Sequence, residues 1–382
     1  MSTKLAVVVS SDITIKAFLH GHLAAWSKRY ALTVFANTDD SDLLMRLGVT
    51  GKVEKVGIER TVQPFADLCA LLTMMRKFRN KSFDAIFSVT PKAGLLAMLS
   101  AFIACVPVRI HVFTGQVWAT RRGLSRLILK SADRLTAALA THVLVDSASQ
   151  RDFLIAEGVI QSDRSAVLAE GSISGVDPLR FKPDAKERAA IRRRFGIPDS
   201  APLLLFVGRL NPDKGVQDIA AAFMQIASSW NVHLMIVGPD ESDMHDAICN
   251  VVRAHAERVH FVEYTSTPEH FMAAADIFCL PSYREGFGSV VIEAAAVGVP
   301  AIASRIYGLT DAVEDGVTGL LHSPGDVAEI SACLMKLLSD EALRREMSEA
   351  ARLRAIRSFS SERVTQAFVD YIQQRLGDPV AN

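Results

Sequence analysis

The feature that most constrains this 382-residue chain is an alternation running through its length. Short apolar runs rich in Val, Ile and Phe are separated by amphipathic stretches of helical length. In the first half the runs are 4-KLAVVVS-10, 31-ALTVFA-36, 84-DAIFSV-89, 108-VRIHVF-113 and 142-HVLVDS-147. Strands that alternate with helices pair in parallel through crossover connections. The stretch 175-GVDPLRFKPD-184, with two prolines and no periodicity, reads as a linker, after which 203-LLLFVG-208 opens a second series. That series continues with 232-VHLMIVG-238, 258-RVHFVE-263, 276-DIFCLP-281 and 300-PAIAS-304. The pattern predicts an α/β fold of two doubly wound parallel-sheet domains, residues 1–180 and 181–360, with residues 361–382 forming a C-terminal helix that packs back on the first domain. Ligands of such sheets sit beyond the carboxyl ends of the strands, so two facing domains would hold the active site in the cleft between them.

Apolar types make up 49% of the residues and charged types 22%, enough for two sizeable cores. The five cysteines, Cys69, Cys105, Cys249, Cys279 and Cys333, are scattered, with neither the close pairs of a metal site nor the density of a disulfide scaffold. No basic-then-apolar leader and no run near the ~20 residues of a membrane span is present, so the expectation is a soluble or peripherally attached protein of the cytoplasm. Net charge is zero but uneven. Residues 1–180 carry 22 Lys+Arg against 15 Asp+Glu, a balance of +7, which leaves 20 against 27, or −7, for residues 181–382. The first half leans towards an anionic partner.

Two strand-end segments hold residues suited to chemistry. In 205-LFVGRLNPDKGVQDIAAAF-223, Arg209 and Lys214 precede a helix whose first turn begins near Gly215. Two cations and a helix N-terminus together suit a diphosphate; the plainer alternative is a solvated turn. In 284-REGFGSVVIEAAAVGVP-300, Gly286 and Gly288 permit a tight turn and close approach of a ligand, and Ser289 is a good N-cap for a helix from Val290. Glu285 then lies in the loop and Glu293 about one turn into an otherwise apolar helix. A carboxylate accepts two hydrogen bonds from a vicinal diol, so the pair could grip two sugar rings separated by a diphosphate.

The ordered set 207-VGRLNPDKG-215, 281-PSYREGFGSVVIEAAAVGVPAIAS-304 and 315-DGVTGLL-321 closely resembles the retaining glycosyltransferases of family 4, which have the GT-B fold. In the first half, 90-TPKAGLLAMLSAFIACVPVRI-110 and 172-SISGVDPLRF-181 are similar to the capsule- and O-antigen branch of that family. The resemblance implies that Arg209 and Lys214 neutralise the donor diphosphate. It also implies that Glu285 binds donor-sugar hydroxyls beside the backbone of Gly286, Phe287 and Gly288, and that Glu293 holds the ribose. Glu285, Arg209 and Lys214 are the catalytic candidates, and Thr114, Gly115 and Lys92 mark acceptor-side loops. The donor would be a nucleotide sugar, UDP-linked, and the acceptor a polyprenyl-diphosphate glycan. No cofactor, metal or nucleic acid enters this scheme.

One departure concerns the loop 111-HVFTGQVW-118, where many relatives have a histidine at the position of Thr114. Thr114 cannot act as a base near neutral pH, so a mechanism needing that histidine is in doubt; a front-face mechanism, in which the leaving phosphate takes the acceptor proton, is not. His111 reads as a sheet residue. The triplet 40-DSD-42 matches a manganese signature of a different fold, but Asp42 also suits a helix N-cap. In 121-RRGLSRLILKSADRLTAALA-140, Arg122, Arg126, Lys130 and Arg134 fall at i+4 steps beside Leu124, Leu127, Ile128, Leu135 and Leu139. This is a basic amphipathic helix, either a solvated face or a contact with the anionic cytoplasmic leaflet of the inner membrane. Two other functional readings share the fold: a nucleotide-sugar epimerase and a non-catalytic sugar-nucleotide-binding subunit.

Overall fold

The computed structural model describes residues 2–59, 61 and 63–377. The chain forms two units: residues up to Gly175 with the last helix, and Val176–Ser360. The division falls five residues before the boundary at 180 read from the sequence. Val176 already belongs to the second unit's core and donates its N–H to the Phe359 carbonyl (2.7 Å).

The first unit is built on seven parallel strands, β1 Lys4–Val8, β2 Ala31–Ala36, β3 Lys52–Lys55, β4 Ala85–Val89, β5 Val108–Phe113, β6 His142–Val145 and β7 Ser165–Val167, in the order β3-β2-β1-β4-β5-β6-β7. Alternation along β1 sends Leu5 and Val7 into one core and Ala6 and Val8 into the other, so its continuous apolar run is the mark of a strand covered on both faces. One core is roofed by the helices Pro64–Lys81, Pro91–Ile103 and Gly123–Leu139. The other is closed by the helix His20–Trp26 together with Ser361–Leu376, whose Val364, Phe368, Val369 and Ile372 are buried against Leu23 and Trp26.

Six parallel strands form the second unit: β8 Leu203–Val207, β9 His233–Val237, β10 Val259–Val262, β11 Ile277–Leu280, β12 Ala301–Ser304 and β13 Gly319–His322, in the order β10-β9-β8-β11-β12-β13. The chain lays β9 and β10 to one side of β8, then crosses back to place β11 on the other. A crevice opens at the carboxyl end where strand order reverses, here between β8 and β11.

At the amino end of β11 a polar knot ties three segments together. Arg192, almost wholly buried, donates to Asp276 (2.6 Å) and to the carbonyls of Ala274, Pro198 and Ala201, while Arg188 takes the other Asp276 oxygen (2.7 Å). The Leu203 N–H also donates to Asp276 (2.7 Å). Removing one partner of a buried pair strands the other's charge. Asp276→Ala is therefore expected to destabilise the second unit by about 3–5 kcal/mol, read as a lower urea midpoint, with Asp276→Asn falling between it and the parent.

Candidate active site

The loops leaving β8 and β11 meet at the crevice, and their contact is set by backbone. Gly215 has φ +64°, and a Cβ there would lie 2.0 Å from the Pro281 carbonyl oxygen. Only glycine allows the first loop to seat against the second while the helix Val216–Ile226 starts at that point. The Tyr283 N–H donates to the Asp213 carbonyl (2.8 Å). Three consecutive side chains then reach across: the Tyr283 hydroxyl donates to Asp218 (2.8 Å), Arg284 pairs with Asp213 (3.0 Å), and Lys214 pairs with Glu285 (2.5 Å). Ser282 Oγ donates to the same Glu285 oxygen (2.9 Å). The ladder fixes the height of Lys214 and Glu285 at the first turn of an 11-residue helix, whose free N–H groups and dipole favour an anion.

The structure thus brings Lys214 and Glu285 into direct contact. Arg209 lies in the same loop, with its guanidinium held by Glu241 (2.7 Å), a residue of the loop after β9 that the sequence reading passed over. Gly288, not Ser289, is the N-cap of the helix Ser289–Val297; it is left-handed at φ +83°, and no side chain caps the helix. Ser289 is the first helical residue. A Cβ on Gly288 would lie 2.4 Å from Leu309 Cδ2, so the turn serves packing as well as ligand approach. Phe287 is buried, its ring 5.1 Å from that of Phe359, which anchors the Gly286–Gly288 backbone.

Glu293 is half-buried and accepts no hydrogen bond among the described residues. Burial pushes its carboxyl up to about 7, against the pull of Arg180 and with a further push from Glu269. Arg180 is held by Glu269 (2.8 Å) and the Ser266 carbonyl (2.7 Å), so the cation that pulls on Glu293 is itself fixed. A carboxyl partly withdrawn from water and given no protein donor favours its neutral form.

On the first unit, Lys92 and Thr114 follow the neighbouring strands β4 and β5, with Gly115 next in line. Lys92 is drawn into an ion pair with Asp67 (2.5 Å) and donates to the Thr61 carbonyl (2.6 Å). The Thr114 carbonyl accepts from the buried amides of Gln116 (2.5 Å) and Gln150 (2.6 Å). His111 is buried under Gly94, where a Cβ would lie 2.1 Å from its ring, and bonds Ser88 Oγ through Nδ1 (2.9 Å). Burial pushes it down to about 3, so it packs and does not exchange protons near neutrality. The residue missed here is Asp146, just past β6. It is buried, its Oδ1 has no hydrogen-bond partner, and burial pushes its carboxyl up to about 7. Its position at the end of an apolar run, 142-HVLVDS-147, was the available signal.

Of the DSD triplet, Asp40 accepts from the Asp42 N–H (3.2 Å) and pairs with Arg46. Asp42 stands at the N-cap of the short helix Leu43–Arg46 without a side-chain cap bond.

The basic stripe of the Gly123–Leu139 helix is not a free face. Arg126 and Lys130 pair with Glu157 and lie over the Trp118 ring at 5.2 and 5.5 Å, and Arg134 donates to the carbonyls of Gly158 (2.9 Å) and Glu157 (3.1 Å). Only Arg122 of the four lies beyond this network, at the helix N-cap.

Two doubly wound units, the second with a cation–carboxylate site at its crevice, define a GT-B glycosyltransferase. A family model described as glycosyl transferases group 1 matches residues 187–354, and one described as a glycosyl transferase 4-like domain matches residues 17–171. The chain is 29% identical over 309 residues to the capsular polysaccharide biosynthesis glycosyltransferase CapM of Staphylococcus aureus, covering 80% of this chain and 81% of the relative. Identity to the D-inositol 3-phosphate glycosyltransferase of Stackebrandtia nassauensis is 32% over 322 residues, covering 78% and 70%. The fold matches the crystal structure of Anabaena HepE in complex with UDP and glucose at a TM-score of 0.81 and 19% identity, over 97% of this chain and 100% of that one. The chain belongs to family 4 of the glycosyltransferases and is an enzyme.

Losing a charge-assisted contact at a reacting centre costs orders of magnitude in rate. Glu285→Gln and Lys214→Ala are each expected to lower turnover by at least about a hundredfold in a protein that still folds, with a lower thermal melt in Lys214→Ala because it strands the Glu285 charge. Near-parental rates would remove this pair from the chemistry. The Glu293 carboxyl binds its proton more tightly folded than unfolded, so its contribution to stability falls as pH rises from about 4.5 to about 7. Glu293→Gln should therefore gain stability relative to the parent over that interval, as urea midpoints at about pH 5 and pH 8 will show.

Proposed function

We propose that this enzyme transfers a sugar from a UDP-linked donor to a polyprenyl-diphosphate-linked glycan, with retention at the anomeric carbon, during assembly of a capsule, O-antigen or exopolysaccharide. The observation that carries the donor half is the Lys214–Glu285 pair at the start of the Val216–Ile226 helix, with Arg209 in the same loop. Such a site offers opposite charges side by side: cations for a diphosphate and a carboxylate for the sugar hydroxyls next to it. The UDP complex of the Anabaena protein and the capsule role in the name of the Staphylococcus relative support the donor and the pathway class.

In this reading the diphosphate takes Lys214 and Arg209 as partners, which releases one Glu285 oxygen to accept from donor-sugar hydroxyls. Glu293 receives the ribose diol that its empty lone pairs lack. The acceptor hydroxyl approaches C1 on the face from which the phosphate departs. As the C1–O bond to phosphate breaks, its electron pair goes to the diphosphate, whose oxygen takes the hydroxyl proton while the new C1–O bond forms. No protein base is required, which suits a chain with Thr114 at its histidine position. Lys214, Arg209 and the helix N-terminus stabilise charge that grows on the leaving diphosphate. Membrane lipid enters as the anchor of the acceptor, and the work is placed at the cytoplasmic leaflet.

The test is incubation of the enzyme with UDP-sugars and a short polyprenyl-diphosphate sugar, with the anomeric configuration of the product read by NMR. A retained configuration and continued transfer in excess EDTA are expected, since Arg209, Lys214 and the helix N-terminus already offset the diphosphate charge. An inverted product would overturn the front-face route. Conversion of donor alone, without acceptor, would assign the epimerase reaction in its place.

A further inference from the structure

The Gly123–Leu139 helix packs Leu129, Ala137 and Leu139 on the core but carries a second apolar stripe on its outward side. A surface helix ordinarily turns its apolar stripe to the core and its charges to water. Here Asp133 is buried on Trp118 Nε1 (2.7 Å), Thr136 is buried, and Arg126, Lys130 and Arg134 are engaged by Glu157 and the Gly158 carbonyl. The outward side carries Leu124, Leu127, Ile128 and Leu135, at i, i+3, i+4 and i+11, each between 46% and 70% exposed. Single exposed leucines need no explanation, but four large aliphatics along one stripe of one helix do. The inward polar groups are satisfied by the protein, and the outward stripe stands exposed among the described residues.

We infer that this stripe is a lipid-docking face, lying in the headgroup–acyl boundary of an anionic leaflet with Arg121 and Arg122 at its leading end. Charge selects this occupant over a second copy of the chain. Residues 61–141 hold 11 Lys+Arg against 3 Asp+Glu; counting also Glu54 and Glu157, which pair with Lys77, Lys81, Arg126 and Lys130, the balance of this region is 11 − 5 = +6. The three acids are committed: Asp133 to Trp118, Asp67 to Lys92, and Asp84 to the Lys4 N–H (2.7 Å). Two copies meeting through this face would set cations against cations, whereas anionic headgroups complement them. Arg121 and Arg122 are exposed, and their side chains make no ion pair among the described residues. The inference deepens the reading that the acceptor is lipid-linked and rests on it for its purpose. Its physical basis, however, is the helix surface, and insertion of apolar side chains replaces cation attraction as the main attachment.

Co-sedimentation with vesicles containing phosphatidylglycerol tests the face apart from the chemistry. The parent is expected to bind these vesicles and to bind phosphatidylcholine alone weakly. A Leu124→Ser, Leu127→Ser, Ile128→Ser variant should lose binding by at least about tenfold, with unchanged transfer to a detergent-soluble acceptor analogue. Arg121→Gln with Arg122→Gln should weaken binding several-fold at low salt and reduce its salt dependence. A Leu127→Trp variant should show added blue-shifted emission with vesicles. Equal pelleting of the triple variant and the parent, or no blue shift, would overturn the inference. So would a parent that sediments as a dimer and a triple variant that sediments as a monomer, an outcome that would give the stripe to a second copy. Loss of transfer with vesicle binding intact would count against the proposed reaction and leave the docking face standing.

Discussion

The donor end of this molecule depends on the reversal of strand order beside β8. Once β11 returns to the far side of β8, two loops must leave the same edge of the sheet within reach of one another. Everything at the site follows from how closely they meet. Gly215 lets the first loop sit on the Pro281 carbonyl, and the ladder from Tyr283 to Glu285 then sets Lys214 against Glu285 at the opening of a helix. The charges are arranged by backbone first and by side-chain pairing second. In such a geometry the cation and carboxylate hold each other in place, and under the proposed reaction the phosphate and sugar hydroxyls of the donor take their places as partners. That is preorganisation in the sense that matters for catalysis: the groups are oriented before the charge develops.

Glu293 extends the same principle to a group with no partner. Its carboxyl lies along an apolar helix, pushed up to about 7 because burial disfavours its charged form. Asp146 in the first unit presents the same condition, with one orphan oxygen beside a buried amide network that joins Gln150, Gln116 and the Thr114 carbonyl. The Gln150 side chain also accepts from the Asp146 N–H (2.8 Å), and the Asp146 carbonyl takes the N–H of Ser172, a non-glycine residue at φ +69°. Strain and unsatisfied burial gathered in one place are held by the packing around them. Around Thr114 the chain thus holds a fixed amide frame with no titratable group of its own.

Much of this was legible in the sequence because buried parallel strands announce themselves. β1, β8 and their neighbours are continuous apolar runs, and ten of the strands could be placed from those runs alone. The three that could not, β3, β7 and β13, are edge strands: KVEK mixes charges with a single Val, SAV is three residues long, and GLLH begins inside a loop-like DGVTGLL. The cap at Ser289 was misread because propensity favours serine there, while the tight packing of Leu309 on Gly288 decided the turn. Glu241 and Glu269 carried no signal, since nothing local marks which acid in a loop will meet Arg209 or Arg180. The basic helix was legible as amphipathic, but the engagement of its cations was not. Periodicity says that two faces differ, but which face turns inward depends on partners elsewhere in the chain, here Trp118 and Glu157.

The last helix has a consequence in time. The core around Leu23 and Trp26 is closed by residues 361–376, so the first unit is assembled from both ends of the chain with the whole of 176–360 lying between them. At ribosomal speeds of about 5–20 residues per second, those intervening 185 residues take roughly 10–40 s to emerge. During that interval the nascent first unit shows one uncovered apolar side. The second unit, contiguous in sequence, can finish folding before the first, reversing the usual order in which a growing chain sets its domains.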